Sequence, residues 1–288
     1  QSNLKQWGLI CKMYANEARG GEWPPLQARA GNHSIMKSFS LTPWLEAVYP
    51  EYLNDLGLLS CPSDLDSLAV VANGENPATL LAEKPYLAGR SYGYFGWVVD
   101  KADRPLVRCD QFQNLALLSG VLGAQLNLSV FVVTAQLAGG FDAQLRAHPV
   151  PSLEPGWIQE VLSQNITDVS PHPQTGETLG NGAGTTIYRL REGVERFLIT
   201  DINSLGHSAR AQSTVWVMFD QTVQRGNRIL SNHQPGGANV LYMDGHVAYV
   251  GYEHGPYDPQ LGIWLDGPAT PPVMPSMAST LTILGAAR

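Results

Sequence analysis

The chain is poor in charge. Asp, Glu, Lys and Arg make up 15% of its 288 residues, against about 25% in an average soluble domain. What charge there is leans acidic, with a net −7 and a pI near 5.4. Phosphate recognition needs a basic face, so nucleic acid is excluded as a partner. Cysteine is scarce: Cys11, Cys61 and Cys109 form no Cys-x-x-Cys pair, which argues against a cysteine-based zinc site. Two readings of the cysteines stay open: a Cys61–Cys109 disulfide with Cys11 as a free thiol, or three small core hydrophobes. The sequence has no Gly-x-Ser-x-Gly elbow, no Walker loop and no His-Glu-x-x-His helix. No repeat of solenoid length stands out. Gly180-Asn181-Gly182-Ala183-Gly184 lacks the following Lys and the strand–turn–helix frame of a phosphate cradle, so it reads as a flexible loop. The first residue is not Met and no signal peptide follows it. The chain opens inside a helical pattern, and the expectation is that a segment precedes Gln1.

Hydrophobic residues at 44%, with 29 Gly and 20 Pro, fit one loop-rich domain over 1–288 rather than disorder or a helical bundle. The clearest helix is 1–19, where Leu4, Trp7, Cys11, Tyr14 and Ala18 recur at spacings of three and four. A second helix is expected to start at Thr42-Pro43 and end near Gly57. Ser91–Val99 alternates aromatic and small residues, as a strand beside a close backbone neighbour does. Residues 111–141 carry no charge. Their amides make a membrane span the weaker reading beside a buried helical hairpin or an assembly contact. Residues 142–184 read as a polar excursion, so 111–184 is treated as an insertion. Val215–Phe219 is a continuous apolar strand ending at Asp220. Asp244-Gly245 between two β-prone runs predicts a two-residue hairpin, with Met243 opposite His246 and Leu241 opposite Ala248. The tail over 253–288, rich in Pro, is expected to be extended.

Few residues suggest chemistry. Asp201, Asn203 and Asp220 offer oxygens to Ca2+, which oxygen-rich donors favour over zinc, although no cofactor is required. His233, Asp244 and His246 are the ligands that a metal-dependent hydrolase would use. Turn chemistry and cross-strand packing explain Asp220, Asp244 and His246 equally well. Arg189, Arg191 and Arg196 alternate with Glu192 and Glu195, which reads as an ion-pair cluster pinning that segment, with an anion site as the other reading. Trp97, Trp157 and Trp216 would line the pocket of a binding module, or else lie in the core.

Three blocks together resemble bacterial prepilin-type proteins of the processing-associated His…Asp-Gly family. The first is Ser2-Asn3-Leu4-Lys5-Gln6-Trp7-Gly8-Leu9, continuing to Lys12-Met13-Tyr14-Ala15. The second is Cys61-Pro62-Ser63-Asp64 with Ser91-Tyr92-Gly93-Tyr94. The third runs from Ile187 to Phe197 with Thr200-Asp201-Ile202-Asn203, then His233-Gln234-Pro235-Gly236-Gly237-Ala238-Asn239 through Asp244-Gly245-His246. Ten residues separate His233 from Asp244, one more than the family's usual nine.

The resemblance implies an α+β fold: an N-terminal helix packed on an antiparallel β-sheet, pilin-like, with long loop insertions. Residues 1–19 would be the second half of the pilin helix. It makes His233, Asn239, Asp244, Gly245, His246 and the 189–196 charges structural signature residues rather than catalytic ones. It implies a non-enzymatic subunit of a type IV pilus-like or type II secretion pseudopilus-like filament, partnered by copies of itself or other pilin-like subunits. The location would be extracytoplasmic, with membrane contact only through an upstream helix. The other function considered is a non-polymerising extracytoplasmic module for carbohydrate or another ligand, exported by the prepilin route.

Overall fold

The computed structural model describes residues 1–28, 39–64, 73–104, 106–122, 132–148, 159–198, 212–225, 228–233, 236–261, 263–268 and 270–282. It mixes helices with antiparallel sheets, an α+β fold. The helices are α1 (Ser2–Glu17), α2 (Leu45–Val48), α3 (Pro77–Glu83), α4 (Gln113–Leu122), α5 (Ala135–Ala147) and α6 (Pro275–Leu281).

Strands β1 (Leu26–Ala28) and β2 (Phe39–Pro43) pair with each other, and the largest sheet has four strands: β3 (Tyr92–Tyr94), β6 (Trp216–Asp220), β9 (Gly237–Tyr242) and β10 (Val247–Gly251). Their spatial order is β10-β9-β6-β3, antiparallel throughout. The interior strand β6 is buried at every residue, so its run Trp216–Phe219 is apolar on both faces rather than alternating. Gly93 of β3 is where the close neighbour lies: a Cβ there would stand 2.8 Å from the Phe219 ring.

Helix α1 lies on β9. Its buried residues are Leu4, Trp7, Gly8, Ile10, Cys11 and Ala15, close to the expected stripe, with Tyr14 only partly covered. Gly8 permits the approach, since a Cβ at that position would stand 3.0 Å from Leu241 Cδ1. The Trp7 indole N–H donates to Leu58 O at 3.0 Å, which satisfies the one polar atom of a fully buried ring.

Four expectations differ from the structure. The helix expected from Thr42 to Gly57 is only α2 followed by a 3-10 turn at Leu56–Leu59. Pro50 pushes Tyr49 to an extended φ −102, ψ 136, and the helix cannot continue. The hairpin is shifted by one residue: Leu241 pairs with Val247, and the Tyr242 N–H donates to His246 O. Asp244 and Gly245 belong to a three-residue loop in which Gly245 takes φ 92, the geometry of a turn closed by a left-handed residue. That register frees the Met243 N–H to reach Val215 O at 2.9 Å and buries Met243 completely. The tail folds back as a short hairpin, β11 (Tyr257–Asp258) with β12 (Ile263–Trp264), and then as α6, which is buried along its length. Pro275 suits a first helical turn, where its missing N–H costs nothing. Finally, the glycine run at 180–184 is held: Asn181 Nδ2 donates to Val98 O and Asp100 Oδ1, and Asn181 Oδ1 accepts the Tyr188 N–H.

The uncharged stretch supplies α4, β5 (Val132–Thr134) and α5, with β5 paired to β4 (Leu106–Arg108). Helices α4 and α5 pack together. Asp142 on α5 accepts the Asn114 and Leu115 backbone N–H groups, which caps the free donors of α4. No helix among the described residues is long and apolar enough to cross a membrane.

Candidate functional site

Three segments meet at the end of the main sheet, one of them far from the others in sequence. Asp220 closes β6, and Asn239 sits beside it on β9. Asp220 Oδ2 accepts the Asn239 backbone N–H at 2.8 Å and its side-chain Nδ2–H at 2.6 Å. Asn239 precedes Leu241 by two residues and therefore shares the face that α1 covers. On that side Asn3 of α1 donates to Ser60 O, fixing the turn that presents Cys61. The Asp64 N–H closes this turn onto Cys61 O, and Ser91 Oγ donates to Asp64 Oδ2.

The third segment follows β8 (Arg228–Ser231), the partner of β7 (Thr222–Arg225). Ser231 Oγ donates to Gly237 O and accepts the His233 N–H, while Asn232 Nδ2 donates to Ser91 O. These bonds aim the His233 ring inward. His233 Nε2 lies 2.8 Å from Asp220 Oδ2, 3.5 Å from Cys61 Sγ and 3.2 Å from Asn239 Nδ2.

Burial dominates the electrostatics here. The Asp220 side chain is 2% exposed, and desolvation raises its carboxyl above the usual carboxylate range, opposed by the Asn239 hydrogen bonds and by His233. Desolvation also raises the Cys61 thiol, with Asp220 adding to it and the Ser63 backbone opposing. A raised thiol is a poor nucleophile. A cysteine relay also needs the thiol on one ring nitrogen and the carboxylate on the other. Here Nε2 faces both, so the arrangement differs from that relay. It is instead a convergence of sulfur, nitrogen and oxygen donors, all within 4.8 Å of one another, and among the described residues it is the only such group of three.

The remaining sequence candidates fall elsewhere. His233 and Asp244 do not pair: His233 joins Asp220, while Asp244 Oδ1 meets His246 Nδ1 at 2.6 Å on the exposed hairpin tip. The trio His233, Asp244 and His246 is thus split between two places. His246 also stacks on Tyr242 at 4.4 Å. Asp201 and Asn203 lie outside the described residues, as does Trp157. Cys61 and Cys109 are separate free thiols, so the disulfide reading is corrected. Trp97 and Trp216 are buried in the core.

Of the 189–196 charges, Arg189 and Glu192 tie the segment to the first part of the chain. Buried Arg189 donates to Glu22, Ser163 O and Trp23 O. Glu192 accepts from Lys12 at 3.2 Å and from the Trp23 indole at 3.0 Å. Arg191 and Arg196 lie over the Phe197 ring, and Gln212 donates to Glu195 at 3.4 Å.

Sequence reasoning singled out Cys61 as a disulfide candidate, Asp220 as a Ca2+ candidate, and His233 and Asn239 as residues of one signature block, without joining the four. With Cys61 and His233 172 residues apart, no spacing rule joins them. Comparison of the chain with protein-family models, with curated proteins and with solved structures gave no match in any of the three.

Proposed function

We infer that this chain is the globular part of a structural subunit of a pilus-like or pseudopilus-like filament on the bacterial surface. The subunit packs against copies of itself or related subunits and carries no catalytic site. One observation carries the reading: the first helix is apolar on two sides. One side is buried on β9, while Leu9 and Met13, one turn apart on the outer side, are 60% and 41% exposed. Residues four apart on a helix share a face, so the two form a small apolar strip on the element that a pilin uses for assembly. The arrangement of a leading helix on an antiparallel sheet, together with the three sequence blocks, supports the pilin-like version of the α+β fold. Head-to-tail contacts between unlike surfaces generate an open helical polymer, which needs mating surfaces and no active site. The raised thiol and the single shared ring nitrogen at Cys61 and His233 favour this non-enzymatic reading over hydrolysis.

The test uses the full-length gene product in its own bacterium. Material sheared from the cells is pelleted, labelled with antibody to this domain and viewed by negative stain. Labelled filaments are expected. A double variant, Leu9→Lys with Met13→Lys, should melt within a few degrees of the parent yet yield several-fold fewer filaments. A product that stays monomeric at the envelope, or filaments indifferent to both lysines, overturns the reading.

A further inference from the structure

We propose that Cys61, Asp220 and His233 together bind one divalent transition-metal ion of the zinc class, independently of any filament role. With Zn–S near 2.3 Å and Zn–N near 2.0–2.1 Å, a tetrahedral ion sets its sulfur and nitrogen ligands about 3.5 Å apart. Cys61 Sγ and His233 Nε2 are 3.5 Å apart. The corresponding nitrogen–oxygen edge is about 3.4 Å, against 2.8 Å between His233 and Asp220. A small rotation of the ring or the carboxylate therefore replaces their hydrogen bond by two metal bonds.

The donor set selects the metal. A thiolate and an imidazole are ligands for zinc-like ions, whereas Ca2+ and Mg2+ take oxygen. Asp220 thus belongs with sulfur and nitrogen rather than in an oxygen site. Charge balances as well: one thiolate, one carboxylate and a neutral imidazole around a dication sum to zero, which suits a buried place. On coordination the thiol gives its proton to solvent, and the imidazole binds through Nε2 with its proton on Nδ1.

The supports around a metal are also in place. Asn239 holds the carboxylate with two N–H groups, and Ser231 holds the His233 backbone. Asn3 and Ser91 anchor the turn carrying Cys61. Such outer contacts orient metal ligands and tune their affinity. The His233 side chain is 23% exposed, so the fourth position faces solvent and takes water. The ion would clasp the Cys61 turn, the end of β6 and the loop after β8.

The test is a Co2+ titration of the reduced, chelator-treated chain. The expected result is one Co2+ per chain with a thiolate-to-cobalt charge-transfer band and tetrahedral ligand-field bands, all displaced by Zn2+. C61S should abolish the charge-transfer band, and H233Q should weaken binding at least about tenfold. H246Q, on the hairpin tip, should change neither. Circular dichroism shows whether each variant is folded, and the parent spectrum decides the matter even where C61S is not. A folded parent saturated with Co2+ that shows no thiolate band overturns the proposal. So does a band that survives C61S, or binding that H246Q removes and H233Q spares.

Discussion

The seat of α1 on β9 can be measured through one contact, Gly8 against Leu241. In an exposed helix interior Gly→Ala gains about 1 kcal/mol. At Gly8 the new methyl would stand 3.0 Å from Leu241 Cδ1 and 3.6 Å from Cδ2. Leu241 is 0% exposed and cannot swing into solvent. Overpacking of that kind costs about 1–3 kcal/mol. The two effects oppose each other, and Gly8→Ala should destabilise by about 0–2 kcal/mol. Leu241→Ala removes a fully buried side chain and should cost about 2–5 kcal/mol. In the double variant the methyl introduced by Gly8→Ala enters space that Leu241 has vacated. The clash disappears and the helix gain remains, so the double variant should be more stable than L241A alone. The coupling should reach at least about 1 kcal/mol. Urea titration followed by tryptophan fluorescence supplies the four free energies, provided the slope stays constant across the set. Additivity within about 0.3 kcal/mol would refute the placement of the helix. A Gly8→Ala variant that is more stable than the parent by the full helix gain would refute it too.

Two further outcomes follow from polar groups far from that contact. Asn181→Asp takes away both donors to Val98 O and Asp100 and sets a second carboxylate beside Asp100. It should cost about 2–5 kcal/mol at neutral pH, with partial recovery in acid as the pair shares a proton; melting curves at two pH values suffice, and a pH-independent loss would contradict the charge argument. Asp266 has its carboxyl raised by burial, with the Ser276 N–H at 2.8 Å opposing. A raised acid holds its proton more tightly when folded, so its contribution to stability is full below the unfolded Asp value and is lost as pH rises through the folded value. Asp266→Asn keeps an acceptor for Ser276 and cannot ionise. Its melting temperature relative to the parent should therefore climb from acid to neutral pH, and a flat difference would count against a half-buried, ionising Asp266.

Much of the chain's local structure was legible residue by residue. The α1 stripe, the apolar run of β6 and the tight bend at Asp244-Gly245 each depend on neighbours a few positions away, and periodicity and turn chemistry act at that range. The same signals stopped short wherever a distant partner cast the deciding contact. The hairpin register turned on Val215 O accepting the Met243 N–H, and a one-residue slip would have expelled Met243 from the core. Helix α6 carries no readable period because all seven of its residues are buried and none marks an outer face. The glycine run at 180–184 looked free because its anchors, Val98 and Asp100, lie some eighty residues earlier.

The candidate site shows the division most plainly. Sequence alone determined which residue types this chain has for chemistry: one thiol near a Pro-Ser-Asp turn, one strand-end carboxylate and one imidazole before a Gly-Gly pair. Only the tertiary structure decided that they meet, and that His233 takes Asp220 rather than Asp244 as its partner. Strand pairing, not chain distance, sets which side chains become neighbours, and antiparallel β6 and β9 bring Asp220 and Asn239 to the same end of the sheet.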